Sequence, residues 1–388
     1  MQSDVAIIGG GIMGSTLAYW LPRLSPGLAV TVVEREPAYQ RASSALSAAS
    51  IRQQFTTPVN IQLSQQSLEF LRCAPDLLEV DGDRPDIGLC EDGYLYLAGS
   101  AGEARLRTAH DIQLAHGADV ELLAPAELAA RFPWLAVGDL ALGSLGRSGE
   151  GWFDGYGLLM AFARKARSQG VRYLRGEVAG IELGGGRVVA LSLADGARVS
   201  CGVAVNAAGP WARQAAGLAG IELPVFARRR TVYVIACRAR LERCPLLIDP
   251  TGFWMRPEGD RYIAGLPPRV DVNDLPLDPE YEPFEATLWP ALAGRIPAFE
   301  EAKLERAWAG YYEVNDFDHN GIVGPHPSIP NLHFMNGFSG HGLMQAPAVA
   351  RGLAERIVGG RYSTIDLAPL GFARLLENRP LVELNVIG

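Results

Sequence analysis

The glycine-rich start of the chain constrains its fold more than any other stretch. Residues 5–8 form a short apolar run, which Gly9, Gly11 and Gly14 follow in the spacing Gly-x-Gly-x-x-Gly. In a strand–turn–helix unit the first glycine permits a tight turn, the second lets backbone approach a pyrophosphate, and the third lets helix and strand pack closely. The helix N-terminus then offers free N–H groups and a positive dipole end. The pattern predicts a dinucleotide site and a helix to about Leu21.

The next acidic residue supports this interpretation. Glycine accounts for 44 of 388 residues, so the triplet alone is weak evidence, and a merely structural turn is the alternative. However, the apolar run 29–33 ends in Glu34, which follows Gly14 by about 20 residues, the spacing of the acid that binds ribose hydroxyls.

Composition narrows the class of protein. An apolar fraction of 48% and a charged fraction of 20% are typical of a soluble globular chain. The net charge of −8 argues against nucleic acid or an anionic membrane as partner. Five cysteines without Cys-x-x-Cys spacing favour a reducing compartment. A strand that starts next to Met1 leaves no room for a signal peptide, and no apolar run reaches 18 residues, so we expect a cytoplasmic protein without a transmembrane segment.

The rest of the chain alternates between helix and strand patterns. Thr57 and Pro58 predict the start of a helix to about Cys73, Asp92-Gly93 predicts the turn of a hairpin over 89–97, and Asp154 is the expected cap of a helix to Ala166. Further helices are expected at 101–116 and 283–294, and strands at 171–183, 187–193, 198–206, 225–236, 247–256, 261–266 and 332–336. A second glycine-rich turn, 337–342, opens a helix that ends at Gly359.

Six stretches carry a resemblance to a known family. They are Ile51-Arg52-Gln53-Gln54-Phe55, Glu150 to Asp154, Asn206 to Trp211, Trp308 to Tyr312, Asn320 to Pro327 and Gly337 to Pro347. With them the chain resembles, over nearly its whole length, the FAD-dependent D-amino-acid oxidase superfamily of the sarcosine oxidase and glycine oxidase type. It is most similar to the FAD-dependent oxidoreductase domain-containing protein 1 family, which includes a mitochondrial complex I assembly factor. The resemblance, not the periodicity, implies FAD in place of NAD.

The resemblance implies an α/β fold in which a Rossmann-like FAD-binding domain is interleaved with an α+β substrate domain on a mainly antiparallel sheet. The expected FAD-binding segments are 1–85, 146–224 and 306–388, and the expected substrate segments are 86–145 and 225–305. The implied FAD-binding residues are Gly9, Gly11, Ile12, Met13, Gly14, Glu34, Arg35, Ser43, Ser44, Ser47, Val178, Ala208, Gly209, Trp211, Gly310, Gly337, Gly340, His341, Gly342, Leu343 and Met344. Independently of the family, a helix N-terminus at the second turn would stabilise a reduced, negatively charged flavin.

The sequence departs from these relatives in ways that bear on chemistry. It lacks the cysteine near Ala309 and the histidine near Ser47 through which relatives attach FAD, so non-covalent FAD is expected. It also lacks the substrate arginine of glycine oxidase within 310–312. Met344 stands where sarcosine oxidase has a lysine, and neither Lys165 nor Lys303 matches the lysine that activates oxygen.

The implied reaction is oxidation of a C–N bond, with hydride transfer from a neutral amine or amino acid to flavin N5 and formation of an imine. Arg52 matches an arginine that holds the substrate carboxylate, and a guanidinium fork suits that task; binding FAD or a surface acid is the alternative. Tyr311 matches a substrate-facing tyrosine. Trp254, Arg256 and Tyr262 are further pocket candidates, and His341 either tunes the flavin or packs structurally. No metal site is expected, because Asp316, Asp318 and His319 have the wrong spacing.

Three functions compete at this point. The first is an amine or amino-acid dehydrogenase or oxidase. A dehydrogenase is favoured, because the chain lacks the two lysines that sarcosine oxidase has at its flavin. The second is an FAD-binding assembly or electron-transfer subunit with an electron-accepting protein or other subunit as partner. The third is an NAD-linked dehydrogenase, which only the shared glycine pattern supports.

Overall fold

The computed structural model describes residues 1–384, which contain eighteen strands and eleven α-helices. The strands are β1 (Gln2–Ile8), β2 (Val30–Glu34), β3 (Ser50–Ile51), β4 (Tyr94–Ala98), β5 (Val120–Leu123), β6 (Leu142–Gly146), β7 (Gly151–Trp152), β8 (Arg172–Arg175), β9 (Val178–Gly184), β10 (Arg187–Leu193), β11 (Arg198–Asn206), β12 (Val225–Ala236), β13 (Leu246–Ile248), β14 (Trp254–Glu258), β15 (Arg261–Gly265), β16 (Lys303–Asn315), β17 (Ile322–His326) and β18 (Ile329–Asn336).

The helices are α1 (Ile12–Leu24), α2 (Ser43–Leu46), α3 (Pro58–Arg72), α4 (Ala74–Leu77), α5 (Glu103–Ala115), α6 (Pro125–Arg131), α7 (Gly155–Ser168), α8 (Ala212–Gly217), α9 (Trp289–Arg295), α10 (Gly342–Gly359) and α11 (Ala373–Leu376). Short 3₁₀ turns cover Gly209–Trp211, Pro297–Glu301 and Ala368–Leu370, and a π-helical turn, Phe284–Leu288, leads into α9. Several sequence predictions are confirmed, including the cap at Asp154, whose carboxylate accepts the Gly157 N–H at 2.9 Å.

The first sheet is the Rossmann-like one. Its main strand order is β17-β18-β11-β1-β2-β8, and β1 pairs in parallel with both β2 and β11. Alternate residues of β1 enter different cores: Val5 and Ile7 pack on the side of α1, α3, α7 and α10, whereas Ala6 and Ile8 pack on the side of β10 and α8. Because both faces are covered, the strand reads as a continuous apolar run. The predicted glycine turn therefore lies at the carboxyl end of a central strand.

The second sheet has the order β16-β12-β15-β14-β13-β4-β6-β5. Its described pairings are antiparallel except for β4 with β13, so the fold is α/β with a mainly antiparallel second sheet, as predicted. The hairpin predicted over 89–97 is wrong. Cys90 instead bridges Trp152, and β4 pairs with β6 and β13, because the Asp92-Gly93 turn leads into β4 without a preceding strand.

The predicted domain boundaries stay a prediction, but the segments that build each sheet can be stated. Strands from 2–34 and 172–206, together with 322–336, form the first sheet, and strands from 94–146 and 225–265 form most of the second. Strand β16 pairs with β12 from Lys303 to Asn315 and so belongs to the second sheet, although 306–315 falls within a predicted FAD-binding segment. Within residues 1–384, no helix has both the length and the apolar character needed to cross a bilayer.

Candidate active site

The glycine turn after β1 has the geometry that its spacing predicts. Gly9 has a φ of +97°, and a Cβ there would lie 2.5 Å from the Ala207 carbonyl oxygen. A Cβ on Gly14 would lie 1.9 Å from the Gly9 oxygen, so helix and turn could not approach as they do. At Gly11 the nearest protein atom would be the Ser44 Oγ at 3.7 Å. The protein itself thus leaves Gly11 room, which fits close approach by a ligand.

Glu34, at the end of β2, faces the same space. Its Oε2 accepts the Gly10 N–H and its Oε1 accepts the Glu36 N–H, each at 2.7 Å. The backbone of two turns therefore fixes the carboxylate at the cavity wall, where it can accept the hydroxyl groups of a ribose.

These residues line a first cavity of about 440 Å³, which we call the nucleotide cavity. Its wall includes twelve of the predicted cofactor residues: Gly9, Gly11, Ile12, Met13, Glu34, Arg35, Ser43, Ser44, Val178, Ala208, Gly209 and Trp211. The Arg35 guanidinium lies 3.9 Å from the Trp211 ring centre, and the edge of that ring meets Tyr311 at 6.0 Å between centroids. The Trp211 ring thus connects the outer end of the cavity to the second sheet.

A second cavity of about 90 Å³, the inner cavity, continues from the first. The two share Ile12, Met13, Ser43, Ser44 and Glu313. Predicted residues in its wall are Ser47, Gly310, Gly340, Gly342, Leu343, Tyr311 and Trp254. No cysteine or histidine stands among the described residues that line either cavity.

The second glycine turn brings the start of α10 to the inner cavity. Gly340 has a φ of +97°, and a Cβ there would lie 2.5 Å from the Tyr312 ring. Gly342 is the first residue of α10, so its end of the helix dipole faces the cavity. Gly337, His341 and Met344 do not line either cavity and are placed behind the turn.

His341 is fully enclosed. Its ring packs against Phe55 at 5.4 Å and Phe338 at 6.3 Å, and its Nε2 has no hydrogen-bond partner among residues 1–384. Burial, together with the positive charge of Arg52, lowers its pKa to about 3, so the imidazole is neutral at physiological pH. A positively charged His341 beside the flavin is therefore not supported, and the packing interpretation gains weight.

Arg52 is buried but does not line either cavity. Its guanidinium lies over Phe55 at 4.5 Å and Tyr94 at 5.7 Å. The backbone that follows Arg52 is fixed by Glu150, whose Oε1 accepts the N–H groups of Gln53 and Gln54 at 2.5 and 3.1 Å. Burial raises the pKa of the Glu150 carboxyl to about 7, although the hydrogen bonds from Gln53 and Gln54 act to lower it. The pairing of β3 with β7 joins two of the stretches that carry the family resemblance.

Two further predicted residues lie away from the inner cavity. Arg256 lines a third cleft of about 530 Å³, which borders the inner cavity at Ser47 and Ala48. There it donates to the Ala48 carbonyl at 2.7 Å and pairs with Glu258. The Tyr262 hydroxyl accepts the Leu241 N–H and donates to the Ala239 carbonyl, within the apolar core of the second sheet. Of the three strand candidates, the structure brings Trp254 alone to the inner cavity.

Sequence reasoning missed residues on β12 and β16 that line the inner cavity, namely Arg230, Thr231, Val232, Tyr312 and Glu313. Arg230 donates to both oxygens of Asp271, at 2.7 and 3.0 Å, and its guanidinium lies 5.3 Å from the Tyr312 ring centre. The antiparallel pairing of Arg230 with Gly310 brings these strands together. The available signal was a run of three arginines, 228–230, within the predicted strand 225–236, but this run does not indicate which face of the sheet each side chain occupies.

The donor set fits an extended dinucleotide. One end of the continuous space offers a ribose-binding acid, the middle offers a glycine turn and a helix N-terminus, and the far end offers a second helix N-terminus. The backbone at Gly11 borders open space, which the side chain of any larger residue at this position would fill.

Comparison with known proteins decides the family. A family model described as FAD dependent oxidoreductase matches residues 4–356. The chain belongs to this family. It is 41% identical over 426 residues to FAD-dependent oxidoreductase domain-containing protein 1 of Xenopus laevis, with 100% of this chain and 85% of that protein covered. It is also 25% identical to the mitochondrial sarcosine dehydrogenase of Mus musculus, over 92% of this chain and 40% of that one.

Solved structures agree with the family. L-proline dehydrogenase from P. horikoshii superposes with a TM-score of 0.87 at 26% identity, covering 98% of this chain and 99% of that chain. Glycine oxidase from Geobacillus kaustophilus has a TM-score of 0.83 at 24% identity, covering 96% and 99%, and shows the same fold. FAD is therefore the cofactor of this oxidoreductase, and the predicted NAD-linked alternative is wrong.

Proposed function

We propose that this oxidoreductase is a dehydrogenase that oxidises the C–N bond of an amino acid or of a secondary or N-substituted amine. FAD, held without a covalent bond, supplies the hydride acceptor when bound, and the product is an imine. The observation that carries the proposal is the inner cavity, which continues from the nucleotide cavity and is walled by side chains of the second sheet. Relatives named as sarcosine dehydrogenase and L-proline dehydrogenase support the choice of a C–N donor.

The walls of the inner cavity suit a small organic substrate. Trp254, Tyr311 and Tyr312 supply aromatic surface that excludes water, and the Tyr311 hydroxyl donates to the Leu275 carbonyl at 2.5 Å. Exclusion of water favours positioning of a neutral amine and protects the reaction from side paths.

Arg230 is our proposed anchor for a substrate carboxylate. It is the one basic residue among the described residues that line the inner cavity. Both of its terminal nitrogens donate to Asp271, so a substrate carboxylate would have to share or displace that partner. A bidentate fork of this kind suits an amino-acid carboxylate. Arg52, the anchor predicted from the sequence, remains the alternative, although its guanidinium packs over Phe55 and Tyr94 and does not line the inner cavity.

The choice of dehydrogenase over oxidase rests on the basic residues near the site. Oxygen is reduced by way of superoxide, which a fixed positive charge stabilises in a pocket of low dielectric constant. Lys165, on α7, donates to the Glu79 carbonyl at 2.5 Å, and Lys303 lies exposed at the start of β16, so neither lysine reaches either cavity. Arg230 does line the inner cavity, but its charge is balanced by the ion pair with Asp271.

Anaerobic reduction of the flavin tests the proposal. The holoenzyme is mixed with a panel of N-methylated, cyclic and unsubstituted amino acids, and with matched amines that lack the carboxylate. Bleaching of the flavin absorbance by at least one member supports the proposal. If dithionite bleaches the flavin and no member of a broad panel does, C–N oxidation is refuted and a subunit without turnover of its own is favoured.

Two matched variants locate the anchor. We expect Arg230→Lys to raise the half-saturating concentration of an amino acid strongly, because an ammonium cannot reproduce a two-point clamp, while the matched amine without a carboxylate is unaffected. Arg52→Lys should have the smaller effect. The reverse ranking would move the carboxylate site to Arg52.

A further inference from the structure

Glu313 occupies the junction between the two cavities. Its side chain, on β16, lines both of them, and it is the one titratable residue among the five that they share. The backbone N–H groups of Gly337 and Phe338 lie close enough to its carboxyl group to lower its pKa. The Oε2 atom is buried without a hydrogen-bond partner among residues 1–384. A buried polar atom without a partner is costly, so this oxygen is the natural contact for a bound group.

The Oε2 atom of Glu313 lies close to a defined part of the cavity wall. Oε2 lies 4.0 Å from the position that a Cβ on Gly209 would take, so it lies beside the 3₁₀ turn Gly209–Trp211 in the wall of the nucleotide cavity. The junction lies between the ribose end, marked by Glu34, and the start of α10. An FAD that extends from one end to the other must pass it with its middle, which consists of the pyrophosphate and the ribityl chain.

The charge of the pyrophosphate limits the form that Glu313 can take. The phosphates carry two negative charges, and a carboxylate facing them in a space shielded from water would be repelled. A neutral carboxyl group can instead donate its O–H to a phosphate or ribityl oxygen while its other oxygen keeps the two backbone N–H groups.

We propose that Glu313 binds the middle of FAD as a neutral carboxylic acid, so that FAD binding takes up one proton from solution. The proposal needs FAD as the cofactor but does not depend on which substrate is oxidised.

The titration behaviour of the free protein agrees with this geometry. Burial raises the pKa of Glu313 to about 7, in opposition to the two backbone N–H groups that lower it. A bound pyrophosphate would raise the pKa further, since a like charge disfavours ionisation. Below pH 7 the carboxyl of the free protein is already protonated and affinity is constant. Above pH 7 it must take up a proton on binding, so affinity falls by up to tenfold for each pH unit.

The other charged groups near Glu313 do not account for the proton uptake expected around pH 7. Strand β12 carries Arg228 and Arg230, each paired with Asp271, and Arg229, paired with Glu280. Arg228 also pairs with Asp316, which follows β16. The other titratable groups nearby are Tyr311 and Tyr312 on β16, His341 in the second glycine turn, and Glu34, Arg35, Glu36, Tyr39 and Glu177 on the nucleotide cavity. Burial raises the pKa of Tyr312, and that of His341 is lowered to about 3.

The test measures FAD binding to the apoprotein by isothermal titration calorimetry between pH 6 and 9. At each pH two buffers with different ionisation enthalpies give the number of protons taken up, independently of any variant. Glu313→Gln keeps the shape of the side chain, an acceptor for the backbone and a donor for FAD, but cannot titrate. Glu177→Gln is the matched control, because Glu177 is also a carboxylate on the nucleotide cavity, but its side chain is 64% exposed and pairs with Arg35.

We expect the wild type to take up close to one proton at pH 8 and to lose affinity by up to tenfold per pH unit above pH 7. Glu313→Gln should bind without proton uptake and with a flat pH profile, whereas Glu177→Gln should keep the wild-type slope. Proton uptake near zero in the wild type, or equal slopes for the wild type and Glu313→Gln, would overturn the proposal. If Glu313→Gln does not fold, the wild-type proton count alone decides.

Discussion

Replacement of Glu34 by alanine gives the sharpest test of the nucleotide cavity. The carboxylate is held at the wall by the N–H groups of Gly10 and Glu36, each at 2.7 Å, and is expected to accept two hydroxyl groups of the adenosine ribose. Hydrogen bonds to a charged group are stronger than neutral ones, and water compensates part of the loss in an open cavity. Together the two ribose bonds contribute about 2 kcal/mol, which corresponds to about 30-fold in the dissociation constant of FAD.

The assay is a titration of apoprotein with FAD, followed by flavin fluorescence. Glu36→Ala is the matched control: Glu36 also lines the cavity, but its carboxylate accepts one long bond, from the Arg41 N–H at 3.3 Å. We expect its dissociation constant to change by less than about threefold. The melting temperature of each apoprotein separates folding from binding, because Glu34→Ala also frees two backbone N–H groups. An unchanged FAD affinity with a lower melting temperature would refute the ribose contact and leave Glu34 a purely structural role.

Three further predictions follow from the site. Acid precipitation should leave FAD in a yellow supernatant above a colourless pellet, because no described residue lining either cavity is a cysteine or histidine; a yellow pellet contradicts this. In stopped-flow experiments, reduced enzyme should be reoxidised by air-saturated buffer much more slowly than by an artificial acceptor, and equal rates would make the protein an oxidase. Gly340→Ala should lower the melting temperature and weaken FAD retention, since its φ is +97° and its Cβ would lie 2.5 Å from Tyr312; left-handed backbone alone costs about 1 kcal/mol. Gly359→Ala, at the end of α10 with no atom within 4 Å, should be neutral or stabilising, and equal effects of the two would contradict this account.

The sequence determined local features of this fold more reliably than pairings between distant strands. The turn at Gly9 and the cap at Asp154 depend on a few neighbouring residues, and both are observed. The prediction of a hairpin over 89–97 was wrong because Asp92-Gly93 indicates a turn but does not identify which strands pair. In the structure β4 pairs with β6 and β13.

The site shows the same limit. Most of the residues predicted next to the glycine turns line the cavity walls, whereas Gly337, His341 and Met344 lie behind the second turn. Arg230 and Glu313 were missed because they reach the inner cavity through the pairing of β12 with β16, whose register no local pattern indicates. Tyr262 was expected there because alternation along a strand shows two faces but not which of them meets the cofactor. In the structure it belongs to the core on the opposite side.

The strand order of the first sheet has a consequence for biosynthesis. Ile8 pairs with Asn206, and Asn206 pairs in turn with Phe334. The strand that carries the first glycine turn can therefore complete its sheet only after these much later residues have been synthesised. Contacts of such long sequence separation form slowly, and exposed strand edges bind chaperones or other chains in the meantime. The cavity that receives FAD is closed by residues as late as Leu343. The complete FAD site can therefore form only after the residues up to Leu343 have been synthesised.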